Sequence, residues 1–407
     1  MDDAAETPTF VLVIPDFPTA DTGGGQRSLL FLDAAAALGP VHVVILSDDM
    51  PDNASRCLPQ AASIAGWGTW DKGNANPTGI RRFVPRGVLR LIAPAQFAQP
   101  DPEFRARLDD LVTRTGAKAV LFRYFNALTV TGFSKRDGVA AMVDIDDRDD
   151  QKYAARLVRL FGKRLAASGL PRMSVRRLTR MMQERLSAAS LVWFAAPEDV
   201  WPLPGVRTVV LPNVASIMPD KGALPPPSQG DSILFVGIYN HVPNRDGIRW
   251  FLDHCWADLA RRCPDVRLRI VGRGTLWPQM AARYSHLERV DFVGPVDDLA
   301  AEYGRARLCI CPVREGGGSK IKVIEAAAMG RPIVGVSHAF RGFDQGILDH
   351  AVEAATPQDF VAACADILTD GARADRAGAA LAEWQRQHYS RNAILTRIRS
   401  DIISVRE

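Results

Sequence analysis

Short apolar runs alternate with amphipathic, helix-like stretches along the whole chain. The strand-like runs of the first half are Phe10 to Ile14, Val41 to Leu46, Ala119 to Phe122, Ala140 to Ile145, Leu191 to Phe194 and Thr208 to Leu211. Those of the second half are Ile233 to Val236, Leu268 to Val271, Val290 to Val293, Leu308 to Cys311 and Ile333 to Val336. Strands that alternate with helices predict parallel sheets with helices on both faces. The pattern therefore predicts an α/β protein with two doubly wound, Rossmann-like parallel sheets.

The segment Ala223 to Gly230, ALPPPSQG, separates the two halves. Its consecutive prolines can neither continue a helix nor lie in a central strand. A chain of 407 residues also suits two domains better than one core. We therefore expect an N-terminal domain over residues 1–222, a linker over 223–230, a C-terminal domain over 231–385 and a helical segment over 386–407.

Composition narrows the class of protein. The chain has no run of about 18 uncharged apolar residues, so no transmembrane helix is expected. The acidic N-terminus MDDAAETPTF lacks the basic character of a signal peptide, and the six cysteines have neither a metal-ligand spacing nor a disulfide pattern. A net charge of +4 is too small to indicate nucleic-acid binding. These features predict a cytoplasmic protein.

One stretch is strongly basic. From Lys152 to Arg185 the chain has ten Lys and Arg residues and a single acidic one, Glu184. Apolar residues recur there at helical spacing, namely Leu157, Leu160, Phe161 and Leu165. One interpretation is peripheral contact with an anionic membrane at its inner face or with an acidic acceptor. The other is a solvated helix whose apolar stripe packs on its own domain.

The most informative segment follows the strand Leu308 to Cys311. It contains three glycines, Gly316, Gly317 and Gly318, and then a predicted helix with Lys320, Lys322 and Glu325. Glycines let backbone N–H groups approach a ligand closely, and a helix N-terminus favours anions. Lysines there strengthen a phosphate site, and a glutamate further along can reach ribose hydroxyls. The layout is that of a nucleotide-binding site, although surface lysines are in many cases merely solvated.

Three earlier turns in the second half share this character. Gly237 ends a strand and precedes a helix with Asn244 as a possible N-cap and Arg245 in its first turn. Gly272 and Gly274 flank Arg273, and the backbone around Gly294 and Val296 is placed to read a base edge. Taken singly, each motif is also explained by an ordinary turn.

In combination, these motifs resemble the C-terminal domain of retaining GT-B glycosyltransferases of family 4, the glycosyl transferases group 1. The resemblance is close from Ile233 to about Thr369. It is looser in the first half, where Asn213 in VVLPNVA occupies the family's Pro-Asn signature. The resemblance implies two sheets that face an interdomain cleft and a last helix that returns to the first domain.

The resemblance also implies a nucleotide-diphosphate sugar of the UDP or GDP type as co-substrate, with no further cofactor. Glu325 matches the residue that holds the ribose. The diphosphate would be held by the glycine turn and a lysine, here Gly317, Gly318, Ser319 and Lys320, with Lys322 as a competitor. No nucleophile stands out, which agrees with the family's same-face mechanism, in which the leaving phosphate helps to deprotonate the acceptor.

The chain departs from the family pattern at three places. Gly317 stands eight positions before Glu325, where many members carry a second, sugar-contacting glutamate, and Glu315 is out of register. The usual Arg and Lys pair is replaced by NHVPNR, with Arg245 as the only firm cation. FRYFN, residues 122–126, stands in place of the N-domain histidine.

Polar residues also follow the strands of the first half. Asp144, Asp146 and Asp147 end a strand, and Gly24, Gly25 and Gln26 lie in a glycine turn after the first strand. We interpret both groups as cleft residues: the aspartates would face the acceptor or the sugar, and the glycine turn would touch the donor phosphate or the acceptor. The alternatives are a solvated strand end followed by a helix cap, and a tight loop. Asp-x-Asp metal binding belongs to another glycosyltransferase architecture, so no metal is expected.

The predicted function is glycosyl transfer from a nucleotide-diphosphate donor to a hydroxyl of a glycan, polysaccharide or lipid-linked acceptor, with retention. Lys320, Lys322 and Arg245 would stabilise the departing diphosphate. Two alternatives remain open: a nucleotide-sugar epimerase on the same two-sheet plan, and a non-catalytic nucleotide-sugar-binding protein, which the missing second glutamate suggests.

Overall fold

The structure is a computed structural model that describes residues 7–19, 22–68, 100–215, 217, 224–275 and 277–406. It divides into two compact units. The first comprises Met1–Leu211 and Leu395–Glu407, and the second comprises Pro212–Ile394. In the described part of the chain, no helix combines the length and the apolar character needed to cross a membrane.

The first unit is built on a parallel sheet of seven strands in the order β3-β2-β1-β4-β5-β6-β7. The strands are β1 Phe10–Ile14, β2 Val41–Ile45, β3 Ser63–Gly66, β4 Ala119–Arg123, β5 Ala140–Ile145, β6 Leu191–Phe194 and β7 Arg207–Val210. The helices are α1 Gly23–Ala36, α2 Ala54–Cys57, α3 Pro102–Thr115, α4 Tyr124–Val130, α5 Asp149–Ala166 and α6 Gly169–Leu186.

The second unit has a six-stranded parallel sheet in the order β10-β9-β8-β11-β12-β13. Its strands are β8 Ser232–Val236, β9 Arg267–Val271, β10 Val290–Gly294, β11 Ala306–Cys311, β12 Ile333–Gly335 and β13 Val352–Glu353. Its helices are α7 Val242–His254, α8 Trp256–Arg262, α9 Trp277–Arg283, α10 Leu299–Arg305, α11 Ile321–Ala328, α12 Pro357–Thr369 and α13 Gly371–His388, and α14 Arg391–Arg406 follows.

Both sheets have the same winding. The central strands β1 and β4 are buried along their whole length, and β11 is buried at every position except Arg307, because helices cover both faces. In each sheet the strand order reverses beside the first strand, between β1 and β4 and between β8 and β11. Ligands of open α/β sheets bind at the carboxyl ends of the strands at such a point. The predicted fold of two doubly wound parallel sheets is confirmed.

Several local features differ from the sequence expectations. Two short edge strands, β3 and β13, were not predicted. Gly23, Gly24 and Gly25 form the first turn of α1 and not a loop, because Thr22 caps the helix with its side-chain oxygen. Helix α11 starts at Ile321, so Lys320 occupies its N-cap position.

The segments at the predicted domain borders make defined contacts. In the predicted linker, Ser228 donates its backbone N–H to Asp375 of α13 at 2.7 Å, within the second unit. At the other border, the indole N–H of Trp193 in β6 donates to Asp401 of α14 at 2.8 Å, within the first unit.

Candidate functional site

Three glycine turns adjoin at the carboxyl edge of the second sheet. The N–H of Gly237, after β8, donates to the carbonyl of Val271 at 2.9 Å, and the N–H of Gly272 donates to the carbonyl of Gly294 at 2.8 Å. A Cβ at Gly272 would lie 2.0 Å from the carbonyl oxygen of Gly237. The close approach of these turns therefore requires glycine at position 272, and it brings the predicted donor-binding motifs together.

The triple-glycine loop follows β11 at the point where the strand order reverses. Gly316 and Gly318 have φ angles of 109° and 61°, which favour glycine. The ammonium group of Lys320 donates to the carbonyls of Gly317 at 2.9 Å and Gly318 at 3.0 Å. In addition, Nε2 of His338 lies 2.8 Å from the carbonyl oxygen of Gly316. Because a carbonyl only accepts, that nitrogen carries the proton. The loop is thus fixed by two basic side chains.

The base of the loop is fixed at Ser319. Its hydroxyl oxygen accepts a hydrogen bond from Nδ2 of Asn213 at 3.1 Å, and both residues are buried. On another side lies Gly342, with a φ of 90°, where an added Cβ would come within 2.8 Å of the Ser319 Cβ. Asn213 was predicted only as part of the Pro-Asn signature. In the structure it contacts Ser319, which lies between the glycine loop and α11.

Helices α11 and α7 are linked by a hydrogen bond of 2.5 Å from Nζ of Lys322 to Oδ1 of Asn244. The amide of Asn244 also donates to the carbonyl of Ile238 at 3.2 Å, so it holds the turn after β8. The ammonium of Lys322 lies 5.0 Å from the ring centroid of Phe235. Burial lowers the pKa of Lys322. This lysine therefore joins the two strand-to-helix segments beside the reversal point.

Glu325 is buried in α11, at 4% exposure. Its Oε2 accepts a hydrogen bond from the hydroxyl of Tyr303 in α10 at 3.0 Å. Burial, followed by the charge of Glu325, raises the pKa of Tyr303 well above its ordinary value. Tyr303 is thus a protonated, fully buried donor that orients the predicted ribose-binding carboxylate.

The remaining predicted donor residues are Arg245, Arg273, Gly294 and Val296. Arg245 lies in the first turn of α7, where its Nε donates to Asp246 at 3.2 Å. The side chain of Arg273 is exposed, and its carbonyl accepts from the N–H of Tyr239 at 2.9 Å. Gly294 has a φ of 79° with open space beyond it, and Val296 is half-buried.

In the first unit, the predicted acceptor-side glycines belong to helix α1. The N–H of Gly25 donates to the Thr22 hydroxyl at 3.1 Å, and the N–H of Gln26 donates to the Thr22 carbonyl at 2.9 Å. A Cβ at Gly24 would lie 2.5 Å from the hydroxyl oxygen of Tyr124. Gly24 thus permits the start of α1 to approach the segment after β4.

Asp144 is fully buried, so the expectations of an open cleft residue and of a solvated strand end are both wrong for it. Nη2 of Arg27 donates to its Oδ1 at 2.6 Å, and Nε of Arg27 donates to its Oδ2 at 2.9 Å. The guanidinium of Arg123 also contacts Oδ2. Burial lowers the pKa of Arg27, and it lowers that of Arg123 to about 10. Asp144 is the counter-charge of two buried arginines.

The other aspartates of this group are more accessible. Asp146 and Asp147 are half-buried, and Asp147 lies 3.6 Å from the ammonium of Lys152. Beside them Tyr124 has a φ of 68°, which is rare for a residue with a bulky side chain. The guanidinium of Arg123 lies 4.3 Å from the ring centroid of Tyr124. Their roles toward an acceptor stay predictions.

Several residues that shape the carboxyl edges of the two sheets were not predicted from the sequence. Asn244 was weighed only as an N-cap, but it accepts from Lys322. Tyr303 and His338 gave no motif signal, because each acts on a residue 22 positions away. Arg27 and Arg123 looked like ordinary charged residues, and only the fold places them on Asp144.

Comparison with known proteins supports this architecture. Residues 230–370 match the family model described as "Glycosyl transferases group 1". No curated protein matches the sequence.

Solved structures of similar fold cover nearly the whole chain. HepE from Anabaena, in complex with UDP and glucose, is 12% identical with a TM-score of 0.59, over 98% of this chain and 100% of that one. A glycosyltransferase from Rickettsia africae is 11% identical with a TM-score of 0.62, over 98% and 99%. A variant of TarM from S. aureus, in complex with fondaparinux, α-GlcNAc-glycerol and UDP, is 10% identical with a TM-score of 0.61, over 98% and 100%.

At these identities the structural likeness establishes the fold, whereas the family match covers the segment that carries the glycine turns. Residues 230–370 thus resemble the glycosyl transferases group 1 family, and the chain has the two-sheet GT-B fold of the solved structures.

Proposed function

We propose that the enzyme transfers a sugar from a nucleotide-diphosphate donor of the UDP or GDP type to a hydroxyl group, with retention at the anomeric carbon. The observation that carries this proposal is the glycine loop between β11 and α11. Its positive φ angles at Gly316 and Gly318 bring the chain to the N-terminus of α11 at the reversal point of the sheet. Diphosphates bind at such helix N-termini.

In the proposed complex, the diphosphate meets the backbone N–H groups of the loop, at Gly317 to Ser319, and the ammonium of Lys322. Lys320 has two roles in this arrangement. It donates hydrogen bonds to the carbonyl oxygens of Gly317 and Gly318 and so holds the loop in place. Its charge also adds to the positive potential of the loop. Arg245, in the first turn of α7, contributes charge from the other strand-to-helix segment.

The nucleoside part would be held by Glu325 and by the turn after β10. A carboxylate accepts several hydrogen bonds, so the bond from Tyr303 fixes the position of Glu325 while ribose hydroxyls donate to it as well. The base would lie along the backbone from Gly294 to Val296, where the positive φ of Gly294 and the open space beside it leave room for a planar ring.

In the reaction, the acceptor oxygen forms a bond to the anomeric carbon, and the bond from that carbon to the diphosphate oxygen breaks. The electron pair leaves with the diphosphate, and the proton of the acceptor passes to the leaving phosphate oxygen. The lysines, Arg245 and the helix N-terminus stabilise the negative charge that develops there. Attack from the face that the diphosphate leaves gives retention.

The nucleotide bound to two proteins of similar fold supports the choice of UDP. HepE and TarM were both crystallised with UDP, so we place UDP first and GDP second. The hydroxyl acceptor would be a glycan, a polysaccharide or a lipid-linked saccharide. The six cysteines are free thiols, which supports a reducing, cytoplasmic location.

Calorimetry with UDP, GDP and ADP tests the donor assignment. We expect one nucleotide to bind in the micromolar range and Glu325→Gln to weaken its binding. A panel of sugar nucleotides of that base, followed by NMR of the product's anomeric proton, then tests transfer and retention. Full activity in EDTA is expected; activity that disappears in EDTA and returns with manganese would show a metal-dependent mechanism. Failure of all three nucleotides to bind would contradict the proposal.

A further inference from the structure

The helical pair α5 and α6 has an inner face that belongs to the core of the first unit. Leu157 of α5 and Leu178, Met182 and Leu186 of α6 are buried in that core. Helix α5 loses helical geometry at Gly162, whose φ and ψ are 76° and 161°. The apolar stripe read from the sequence is therefore only partly used for packing, because Leu157 alone of its four members is buried.

The end of this pair, residues 158–173, exposes a group of large apolar side chains, and we name it the apolar tip. Its exposed members are Val158, Leu160, Phe161, Leu165, Leu170 and Met173. Leu160, Leu165, Leu170 and Met173 are each more than half exposed, at 56, 63, 70 and 64%. Only Ile238, Leu348 and Ile403 are comparable elsewhere in the described chain. Such a concentration marks an interaction surface.

The two helices that carry the apolar tip also carry exposed positive charge. Arg156, Arg164, Arg172, Arg176, Arg177 and Arg180 are exposed. Among the residues that the structure describes, none of these six arginines is in an ion pair, in contrast to Lys152 with Asp147 at 3.6 Å. Glu184 is the only acidic residue from Lys152 to Arg185. The helical pair therefore carries both exposed apolar groups and exposed guanidinium groups without a carboxylate partner.

We propose that the apolar tip and its arginines dock on a bilayer that contains anionic lipids. The apolar side chains would enter the boundary between headgroups and acyl chains, and the arginines would bind lipid phosphates. A nucleic acid would satisfy the arginines but leave the apolar side chains in water. A second copy of this surface would cover the apolar groups but bring like charges together. An anionic bilayer satisfies both features.

Vesicle co-sedimentation of the full chain tests the proposal with three variants. Leu160→Ser, Phe161→Ser and Leu165→Ser together remove exposed apolar groups. Arg172→Gln, Arg176→Gln and Arg177→Gln together remove charge. Leu348→Ser is the matched control, because it removes an exposed apolar side chain of the second unit. None of these positions lies in the core, so all variants are expected to fold.

We expect the wild type to sediment with vesicles of phosphatidylcholine and phosphatidylglycerol and not with phosphatidylcholine alone. Both triple variants should bind at least tenfold more weakly, high salt should weaken wild-type binding, and Leu348→Ser should bind as the wild type does. Wild-type protein that stays in the supernatant, or triple variants that bind normally, would overturn the proposal. Two other results would also overturn it, provided that the apolar variant loses the property. One is that the wild type forms a dimer without vesicles, and the other is that the wild type retains an RNA oligonucleotide.

Insertion of the tip gives a second measurement. Because the chain already has eight tryptophans, the readout is the quenching by brominated lipids in excess of that of the wild type, which Phe161→Trp should show and Leu348→Trp should not. Equal quenching of both would contradict docking through the tip. Neither readout depends on sugar transfer, so docking and the proposed activity fail or stand separately.

Discussion

The hydroxyl of Tyr303 donates a hydrogen bond of 3.0 Å to Oε2 of Glu325, and both side chains are buried. The two residues lie on different helices, α10 and α11, 22 positions apart. Because burial and the adjacent carboxylate raise the pKa of Tyr303, the tyrosine remains a donor over the working pH range. Tyr303 therefore acts as a positioning residue for the carboxylate that we assign to the ribose.

The first prediction concerns Tyr303→Phe, which removes this donor and keeps the ring. Loss of one hydrogen bond to a buried carboxylate costs about 1 to 3 kcal/mol. We expect affinity for the nucleotide diphosphate to fall about tenfold, and KM for the donor to rise with little change in kcat, because ribose binding is equally strong in the ground and transition states. Calorimetry and steady-state kinetics measure both.

Tyr284→Phe is the matched control, since the Tyr284 hydroxyl donates to Asp253 at 2.8 Å, away from the glycine turns. It should lower stability without changing nucleotide affinity. Equal nucleotide affinity of Tyr303→Phe and the wild type would show that Tyr303 has only a structural role.

The second prediction is a pH dependence that originates in Lys322. Burial lowers its pKa below 10.5, and a bound diphosphate would favour the protonated form. Above the lowered pKa, binding must take up a proton, so affinity should fall by up to about tenfold per pH unit until the pKa of the complex is reached. Below the lowered pKa, affinity should be constant as far as this lysine is concerned.

Calorimetry in buffers of different ionisation enthalpy measures that proton uptake directly. Lys322→Met should bind weakly and lose the dependence. Lys322→Arg should keep the charge at alkaline pH, so its affinity should be flat in the same window. The same alkaline loss of affinity in Lys322→Arg would assign the dependence to another group.

The third prediction concerns the buried ion cluster of the first unit. Asp144→Asn leaves the guanidinium groups of Arg27 and Arg123 buried without their counter-charge, which costs about 3 to 5 kcal/mol. Asp110→Asn breaks an exposed pair with Arg114 at 2.7 Å and should cost less than about 1 kcal/mol. Denaturant unfolding followed by fluorescence compares the two. Similar small losses in both variants would contradict the structural role of Asp144.

The sequence predicted the fold well because strands of parallel sheets are buried on both faces and read as continuous apolar runs. Two of the four edge strands, β3 and β13, lack this signal, whereas the edge strands β7 and β10 were predicted. Ser63–Gly66 and Val352–Glu353 are short, and each pairs on one side only, so their composition does not distinguish them from loops. The start of helix α1 was missed for a different reason. The three glycines Gly23 to Gly25 indicate a turn unless Thr22 is recognised as a helix cap.

The candidate site was predictable where chemistry lies in one contiguous segment. The glycine loop, Lys320, Lys322 and Glu325 are such a segment. Residues that act from a distance were not predictable, because only the fold brings Tyr303 to Glu325 or Arg27 to Asp144, which are 117 positions apart. An aspartate at a strand end has the same sequence context whether water or two arginines surround it.

The most direct test of the donor site is the turnover of a sugar nucleotide by the wild type, Lys320→Ala and Glu325→Ala, with release of nucleoside diphosphate as the readout. Circular dichroism verifies that each variant is folded. We predict that the wild type consumes at least one UDP or GDP sugar and that both variants lose at least a hundredfold in kcat/KM, about 2.7 kcal/mol. Unchanged turnover in both folded variants would contradict the assignment of the donor to the second unit's glycine loop.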